Sequence, residues 1–208
     1  NFIAVKIKAL EDDVQFLGGT YYGEFDKKQE ANIGIIICTF KREKYVKRNL
    51  ETLKLLIADN PHFHVMIIDN GSTLPEIQEE QLQIIHNRNY GGSGGFTRGL
   101  IEQVKQGVND YVIMMDDDIL IETSSLERVY ALCCYRKEKY TMQMIAGAMM
   151  SMDQPTLQYE NTAYWGKVRL HSLGQGLNLN AMNDLIQNDQ LPPMKNKYAA
   201  WWFCCIPV

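Results

Sequence analysis

The sequence predicts an α/β fold in which helices cover both faces of a mostly parallel sheet. Two observations support this prediction: short continuous apolar runs recur along the chain, and stretches with helical spacing separate them. Continuous apolar strands are typical of a sheet that is buried on both faces. Because parallel neighbours need a crossover connection, the alternation indicates repeated strand–helix units.

The strands are predicted from apolar runs that are too short for a helix. The first run is Ile-Gly-Ile-Ile-Ile, and the others are similarly rich in Ile, Val and Met. Parallel strands carry their ligands at their carboxyl ends, so functional residues are expected just after each run. The predicted strands cover residues 33–37, 63–68, 83–85, 111–115 and 144–150.

Three helices are predicted between and after these strands. Residues 43–58 carry apolar side chains at i, i+4, i+7 and i+11, the spacing of one helix face, and Pro61 follows. A second helix is predicted over residues 95–106. The run Ser124-Ser125-Leu126-Glu127 matches a capping box, which predicts the start of a third helix. Residues 153–200 are rich in Asn, Gln, Gly and Pro, and they are predicted to form long loops.

Residues 1–30 differ from the remainder of the chain. Residues 2–8 alternate as a half-buried strand would. The polar run over residues 26–30 is predicted to be a linker, which puts a domain boundary near residue 31. Because the chain begins with Asn1 and not with Met, we expect a processed or cut piece.

Composition excludes several classes of function. Hydrophobic residues make up 46% and charged residues 22% of the 208 residues, as in ordinary globular proteins. The net charge of −4 argues against general electrostatic binding, so no nucleic-acid partner is expected. No apolar run in the sequence approaches the ~20 residues that a membrane-spanning helix needs. The five cysteines are odd in number and contain no CxxC pair, which predicts reduced thiols in a cytoplasmic protein.

Three carboxylates, Asp116, Asp117 and Asp118, directly follow the predicted strand over residues 111–115. Carboxylates at the end of a buried strand need a counter-charge. Asp116 and Asp118 could both face a hard cation such as Mg²⁺ or Mn²⁺, which would hold phosphate oxygens. The alternative is an acidic loop before the next helix. The position directly after a strand favours the metal site.

The run Gly91-Gly92-Ser93-Gly94-Gly95 follows another predicted strand and precedes a predicted helix. Glycines let backbone amides approach an anion at a helix N-terminus. The run matches neither the Walker loop nor the dinucleotide-binding fingerprint. A flexible turn is the alternative, but a metal site at the neighbouring strand end would favour a diphosphate ligand.

Residues near other strand ends have two interpretations each. Asp69 could bond the base or sugar of a nucleotide, or it could form an Asx-turn. Arg42 could contact a base or phosphate, or be a surface charge on the first helical turn. Trp201 and Trp202 are predicted to lie in a strand and point to opposite sides, so that one faces a sugar while the other packs. A core role for both is the alternative.

Together these segments resemble a family-2 glycosyltransferase with the GT-A, Rossmann-like fold. The likeness is strongest to bacterial galactofuranosyltransferases, which combine a Gly-Gly-Ser-Gly-Gly loop, an Asp-Asp-Asp motif and a later Trp-Trp…Ile-Pro segment. It implies that residues 1–30 are the tail of a β-rich N-terminal domain plus a linker. Residues 31–208 would then be a nucleotide-sugar-binding domain, truncated on its C-terminal side. The segments that carry the resemblance are residues 36–43, 68–72, 89–96, 115–119 and 198–207.

The resemblance also implies an activity and its site. The chain would use a UDP-sugar donor, UDP-galactofuranose, and extend a glycan by inverting, direct displacement. Mn²⁺ or Mg²⁺, held by Asp116 and Asp118, would stabilise the departing diphosphate. The donor would contact Thr39, Arg42, Asp69, Asn89, Gly91, Gly92 and Asp117, and the sugar and acceptor would contact Glu160, Trp201 and Trp202.

The acceptor implied by the resemblance is a glycan or a lipid-linked glycan. The expected location is cytoplasmic, and a peripheral contact with the inner face of the bacterial plasma membrane and homo-oligomer formation stay open. In this family the catalytic base is an Asp downstream of the Trp-Trp segment, and a later His completes the metal site. We therefore name no catalytic residue in this chain, expect the base beyond Val208, and expect these 208 residues alone to be nearly inactive.

Two other functions remain open from the sequence. A sugar-nucleotide nucleotidyltransferase has a similar α/β core, but it needs a glycine-rich, arginine-containing loop after the first strand. This chain has Cys-Thr-Phe-Lys-Arg there, without glycine. The second alternative is a non-catalytic nucleotide-sugar-binding domain.

Overall fold

The computed structural model describes residues 6–20, 22–24, 29–191 and 197–208. A seven-stranded sheet with helices on both faces forms its centre, as the sequence predicts. The helices are α1 (Glu43–Asp59), α2 (Gly91–Gln106), α3 (Thr123–Tyr135) and α4 (Met182–Asp189). The strands are β1 (Ile33–Thr39), β2 (Phe63–Asp69), β3 (Ile77–Gln78), β4 (Leu82–His86), β5 (Tyr111–Asp116), β6 (Ile145–Ala146), β7 (Met149–Met150), β8 (Leu157–Glu160), β9 (Thr162–Trp165), β10 (Leu170–Leu173), β11 (Leu177–Asn178), β12 (Lys197–Tyr198) and β13 (Phe203–Pro207).

The central sheet has the strand order β3-β4-β2-β1-β5-β13-β6. Its four middle strands, β4, β2, β1 and β5, are parallel. The strands β3, β13 and β6 pair antiparallel at the two sides. Because β1 lies between β2 and β5, the chain reverses its direction of travel across the sheet there, which opens a crevice at the carboxyl ends.

Strand β1 contributes to the cores on both faces of the sheet. Ile35 and Ile37 belong to the apolar cluster that contains Leu53 of α1 and Val129 of α3. Ile36, between them, packs in the cluster that contains residues of α2. Burial of an isoleucine stabilises the fold by about 1.5–3 kcal/mol. The continuous apolar run is therefore explained by helices on both sides.

Two predicted helix starts are wrong. Helix α2 begins at Gly91, four residues before the predicted position, so the glycine run forms its first turn. Tertiary packing overrides the low helix propensity of glycine there. Helix α3 begins at Thr123, and Glu122 precedes it without a capping hydrogen bond from its side chain. The predicted capping box is wrong because Ser124 already lies inside the helix.

The predicted strand over residues 144–150 is split between two sheets. Strand β6 pairs with β13 in the central sheet, whereas β7 pairs with β8 elsewhere. Gly147 lies between them, and its amide donates to the carbonyl oxygen of Phe203 at 3.0 Å. A Cβ on Gly147 would lie 2.9 Å from the Phe203 ring, so the chain passes closely over this residue. The hydrophobic pattern of residues 144–150 gives no sign of this contact, so the interruption of the strand could not be predicted from it.

The prediction of long loops over residues 153–200 is wrong for most of the described part. Strands β11, β8 and β7 form one small sheet, β10, β9 and β12 form another, and α4 follows β11. These strands have two to four residues each, which is too short for a recognisable alternation. Residues 192–196 lie outside the described residues.

The division of the chain near residue 31 stays a prediction. Residues 1–5, 21 and 25–28, which include most of the predicted strand and linker, lie outside the described residues. Residues 6–20 and 22–24 form no strand. The Gln29 amide donates to the carbonyl oxygen of Cys134 at 3.3 Å, so the chain reaches α3 shortly before β1.

Two further expectations concern cysteines and membrane spans. All five cysteines are free thiols, as the sequence predicts. Within the described residues, the structure contains no helix with the length and apolar character to cross a membrane.

Candidate functional site

A cavity opens at the carboxyl edge of the parallel strands. Its volume is about 450 Å³, within the range of small-molecule sites. The loops after β1 and β2, the start of α2 and the loop after β5 all contribute to it. Its lining consists of Cys38, Thr39, Phe40, Arg42, Asn70, Asn89, Gly91, Gly92 and Asp117. Six of the predicted donor-binding residues are therefore brought together, in the crevice where the topology puts a ligand.

Asp117 is a buried carboxylate in the wall of this cavity. Its carboxylate accepts a hydrogen bond from the Thr39 hydroxyl at 2.7 Å and one from the Arg42 guanidinium at 3.3 Å. Its backbone carbonyl accepts from the side-chain amide of Asn49 at 2.9 Å. Asp117 is only 6% exposed. These partners on β1, at the N-cap of α1 and on α1 hold the carboxylate in one position at the cavity wall.

Arg42 provides part of the counter-charge that the acidic triplet needs. Its guanidinium also bonds the carboxylate of Asp118 at 2.5 Å. The neighbouring carboxylates of Asp117 and then Asp118 raise the pKa of Arg42 above its ordinary value. The side chain of Arg42 stays about half exposed, so its charge also faces the opening of the cavity. Sequence reasoning assigned this neutralising role to a metal alone and did not connect Arg42 with the aspartates.

Asp116 retains uncompensated negative charge around it. Its pKa is raised by burial and by the carboxylates of Asp118 and Asp117, and Arg42 offsets this only in part. Hard carboxylate oxygens beside excess negative charge suit Mg²⁺ or Mn²⁺. The described residues contain no group of three or more His, Cys, Asp or Glu that could hold a metal ion. Asp116 and Asp118 therefore fit a divalent cation only as a partial ligand set, and neither lines the cavity itself.

The start of α2 brings backbone amides to the cavity. Gly91 has a φ of +72°, a left-handed conformation that favours glycine. Its amide donates to the side-chain oxygen of Asn89 at 2.9 Å, and its carbonyl accepts from the side-chain amide of Asn70 at 3.1 Å. The N-terminus of a 16-residue helix carries partial positive charge. The predicted anion-binding turn is thus a helix terminus that Asn70 fixes to β2.

The last glycine of the run, Gly95, allows close packing between α2 and β1. A Cβ on Gly95 would lie 2.1 Å from the sulfur of Cys38. A Cβ on Gly99, one turn later, would lie 2.5 Å from the side chain of Ile36. Glycine at these positions lets α2 pack directly on β1. Close helix–strand packing, and not anion binding, therefore explains the last glycine of the run.

Asp69 forms an Asx-turn, one of its two interpretations from sequence. Its carboxylate accepts hydrogen bonds from the amides of Gly71, Thr73 and Leu74 at 2.9, 2.7 and 2.8 Å. Asp69 is fully buried and does not line the cavity. In this structure its carboxylate organises the loop after β2, and direct contact with a donor stays a prediction.

The predicted acceptor residues are not brought to this cavity. Glu160, at the end of β8, accepts a hydrogen bond from the Ser172 hydroxyl at 2.6 Å. Trp201 packs edge-on against Phe96, with ring centroids 5.4 Å apart. The indole N–H of Trp202 donates to the carbonyl oxygen of Gly147 at 2.9 Å.

Both tryptophans lie in the turn before β13, so their predicted position in a strand is wrong. Both tryptophans have packing contacts: Trp202 lies against the core, and Trp201, which is 40% exposed, lies against Phe96. Their role in acceptor binding stays a prediction.

Sequence reasoning missed several residues of the site. Asn70 directly follows β2 and lies in the strand-end segment 68–72, but no role was predicted for this residue from the sequence. Asn49 lies on the buried face of α1 and is 1% exposed. A polar residue on an apolar helix face is a recognisable signal, because burial requires a hydrogen-bond partner. Arg48, which donates to the carbonyl oxygen of Ile119 at 2.8 Å, gave no such signal.

The loops after β1 and β2 both contain a non-glycine residue in the left-handed region. Lys41 has a φ of +55° and Ser72 a φ of +51°. Such conformations are costly for L-residues and cluster at functional sites. The backbone amide of Asn70 donates a hydrogen bond of 2.9 Å to the backbone carbonyl oxygen of Thr39. This bond holds the two loops together.

The strand order and the cavity at the carboxyl ends of the strands define the chain as an open α/β domain with its candidate ligand site at the point where the strand order reverses. The chain belongs to the glycosyl transferase family 2, whose family model matches residues 34–181. The predicted GT-A fold class agrees with this membership and with the mostly parallel sheet.

Curated relatives include galactofuranosyltransferases of mycobacteria. Galactofuranosyltransferase GlfT2 of Mycolicibacterium smegmatis is 27% identical over 147 residues, covering 65% of this chain and 22% of that protein. GlfT2 of Mycobacterium tuberculosis is 33% identical over 101 residues, covering 48% of this chain and 14% of that protein. The chain thus spans less than a quarter of the length of these relatives.

Solved structures give a weaker likeness. A mannosyltransferase from Pyrobaculum calidifontis in complex with GDP-Man and Mn²⁺ superposes with a TM-score of 0.43 and 11% identity. The match covers 59% of this chain and 36% of that one. At this level the likeness supports no conclusion about donor or metal.

Proposed function

We propose that this chain is the donor-binding part of an inverting, metal-dependent glycosyltransferase that uses UDP-galactofuranose to extend a glycan. The observation that carries the proposal is the convergence of Arg42, Asp117 and the N-terminal turn of α2 on one cavity. Family membership supports glycosyl transfer, and the galactofuranosyltransferase relatives support the donor sugar.

The charges around the cavity suit a nucleoside diphosphate. The positive end of α2 and the guanidinium of Arg42 both favour an anion, and the amides of a helix N-terminus bond phosphate oxygens. Asn89 and Asn70 add side-chain amides beside Gly91 and Gly92. We therefore assign the diphosphate to the α2 side of the cavity.

Asp116 and Asp118 would hold the divalent cation. Mn²⁺ or Mg²⁺ bound there would neutralise the charge that develops on the departing diphosphate. Asp118 can take part only if it shares or gives up its bond to Arg42. Arg42 would then be free to bond a donor oxygen, while Thr39 keeps Asp117 in position. We assign the catalytic base to none of the cavity residues.

Calorimetric titration of the chain with UDP, UDP-galactofuranose and GDP, with Mn²⁺ and with a chelator, tests the proposal. We expect the uridine ligands to bind, and their affinity to fall at least tenfold in the chelator or in Asp118→Asn. Asp59→Asn, at the exposed end of α1, is the matched control and should bind like the wild type.

Absence of uridine-nucleotide binding, or equal affinities with and without Mn²⁺, would overturn the proposal. Formation of a UDP-sugar from UTP and a sugar phosphate would instead identify a nucleotidyltransferase.

A further inference from the structure

The β9–β10 hairpin carries three exposed apolar residues at its tip. Trp165 ends β9 and pairs directly with Leu170, which begins β10, and Val168 lies in the connection. These residues are 61%, 41% and 87% exposed, respectively. Directly opposite residues of an antiparallel pair share one face, so Trp165 and Leu170 form a joint apolar surface.

Two cations alternate with these apolar residues. Lys167 and Arg169 are both exposed. The hairpin, residues 162–173, contains neither Asp nor Glu, although the whole chain has a net charge of −4. Its tip is therefore a local surface that is both apolar and positive on an acidic protein.

The hairpin is ordered by contacts within it and by its pairing with β12. The Gly166 amide donates to the carbonyl oxygen of Arg169 at 2.8 Å, so only Lys167 and Val168 remain in the connection. Behind the tip, the rings of Tyr164 and His171 stack with centroids 5.0 Å apart. Strand β12 pairs with the other side of β9. The apolar side chains at the hairpin tip are consequently exposed on an already folded element, so no further segment has to fold before they can make a contact.

We propose that the β9–β10 hairpin docks on an anionic lipid bilayer. Trp165, Val168 and Leu170 enter the interfacial region, where tryptophan is favoured, and Lys167 and Arg169 contact lipid phosphates. The long side chains of lysine and arginine can reach the lipid headgroups while the adjacent apolar side chains lie deeper in the bilayer. The combination of apolar insertion with basic residues is what stable peripheral binding requires.

This inference goes beyond the proposed sugar transfer and does not depend on it. Strand β12 ends three residues before Trp201, so the docked sheet is joined to the turn that packs on α2 by a short connection. Docking would therefore keep the domain at the surface from which a lipid-linked acceptor could be drawn. Vesicle binding can be measured without donor, metal or acceptor.

Co-sedimentation with vesicles of equal parts phosphatidylcholine and phosphatidylglycerol tests the proposal. We expect the chain to bind these vesicles and to bind pure phosphatidylcholine at least tenfold more weakly. Val168→Asp, and Lys167→Glu with Arg169→Glu, should each lower the partition coefficient at least tenfold. Val104→Asp on α2, and Lys47→Glu with Lys54→Glu on α1, are exposed controls of matched charge that should bind like the wild type.

Fluorescence gives a second, position-specific measurement. Vesicles that contain brominated phosphatidylcholine should quench the emission of the wild type, and Trp165→Phe should abolish this quenching while Trp201 and Trp202 still emit. Failure to bind anionic vesicles, equal losses in the control variants, or quenching that survives Trp165→Phe would overturn the proposal. Self-association that the hairpin variants abolish, without vesicle binding, would identify the surface as a contact between copies and also overturn it.

Discussion

The Thr39 hydroxyl donates a hydrogen bond of 2.7 Å to the carboxylate of Asp117, although 78 positions separate the two residues in the chain. Both residues are buried, at 3% and 6% exposure. The bond joins the carboxyl ends of the neighbouring strands β1 and β5, which pair in parallel. The middle carboxylate of the acidic triplet therefore faces the cavity in a position that a different strand determines.

Replacing Thr39 by valine should destabilise the fold and weaken donor binding. Valine keeps the shape but leaves a buried carboxylate oxygen without its donor, which costs about 1–3 kcal/mol. Urea unfolding measures the stability, and titration with UDP measures the affinity. Thr97→Val, on the exposed side of α2, is the control and should change stability by less than about 0.5 kcal/mol. Equal stabilities of the two variants would contradict the importance of the Thr39–Asp117 bond.

Alanine substitutions at two positions of the glycine run should have opposite effects. Gly95→Ala should cost about 1–3 kcal/mol, because its Cβ would lie 2.1 Å from the Cys38 sulfur. Among the described residues, nothing lies within 4 Å of a Cβ on Gly92, so Gly92→Ala should stabilise α2 by up to about 1 kcal/mol. Thermal or urea unfolding of both variants measures the difference.

The clash predicts a coupling between Gly95 and Cys38. Cys38→Ala removes the sulfur, so the double variant should be more stable than the sum of the two single effects predicts, by about 1 kcal/mol or more. Strict additivity in this double-mutant cycle would show that the close packing of α2 on β1 is not the reason for glycine.

Asp69→Ala should lower the stability of the folded protein, whether or not it also weakens donor binding. The substitution leaves three amides in the loop after β2 without their acceptor, which we expect to cost about 2–5 kcal/mol. Asp59→Ala, an exposed aspartate at the end of α1, should change stability by less than about 0.5 kcal/mol. Unchanged stability of Asp69→Ala together with a loss of UDP affinity would support direct donor contact instead of the turn.

The Cys38 thiol should resist alkylation at ordinary pH. Burial, and next the carboxylates of Asp117 and Asp116, raise the pKa of Cys38 from 9.0 to about 11. Since the thiolate is the reactive form, iodoacetamide labelling of Cys38 at pH 8 should be far slower than in the unfolded chain. Asp116→Asn should lower the pKa and accelerate labelling, which peptide mass spectrometry can follow.

The same shift predicts a dependence of stability on pH. The unfolded chain releases this proton near pH 9, whereas the folded chain keeps it until about pH 11. The contribution of Cys38 is therefore fully present below pH 9 and is lost as the pH rises towards 11. A Cys38→Ala variant should lose less stability over this interval, and an equal loss in both proteins would contradict the raised pKa.

Much of the α/β core could be predicted because its signals are local. The apolar run of β1 and the helical spacing of α1 depend on neighbouring residues, and the structure confirms both within two residues. The short strands over residues 157–178 were missed, because each is stabilised by pairing with other strands and not by a pattern of its own. The start of α2 was misplaced because packing on β1, and not propensity, selects its glycines.

The sequence by itself determined that carboxylates follow β5 and that glycines follow β4, since both are properties of adjacent positions. Only the tertiary structure decided which partners these groups have. Thr39 and Arg42 meet Asp117 because β1 and β5 are parallel neighbours, and their carboxyl ends therefore reach one edge of the sheet. The carboxylate of Asp69 instead lies inside its own loop, because it accepts hydrogen bonds from the backbone amides of Gly71, Thr73 and Leu74.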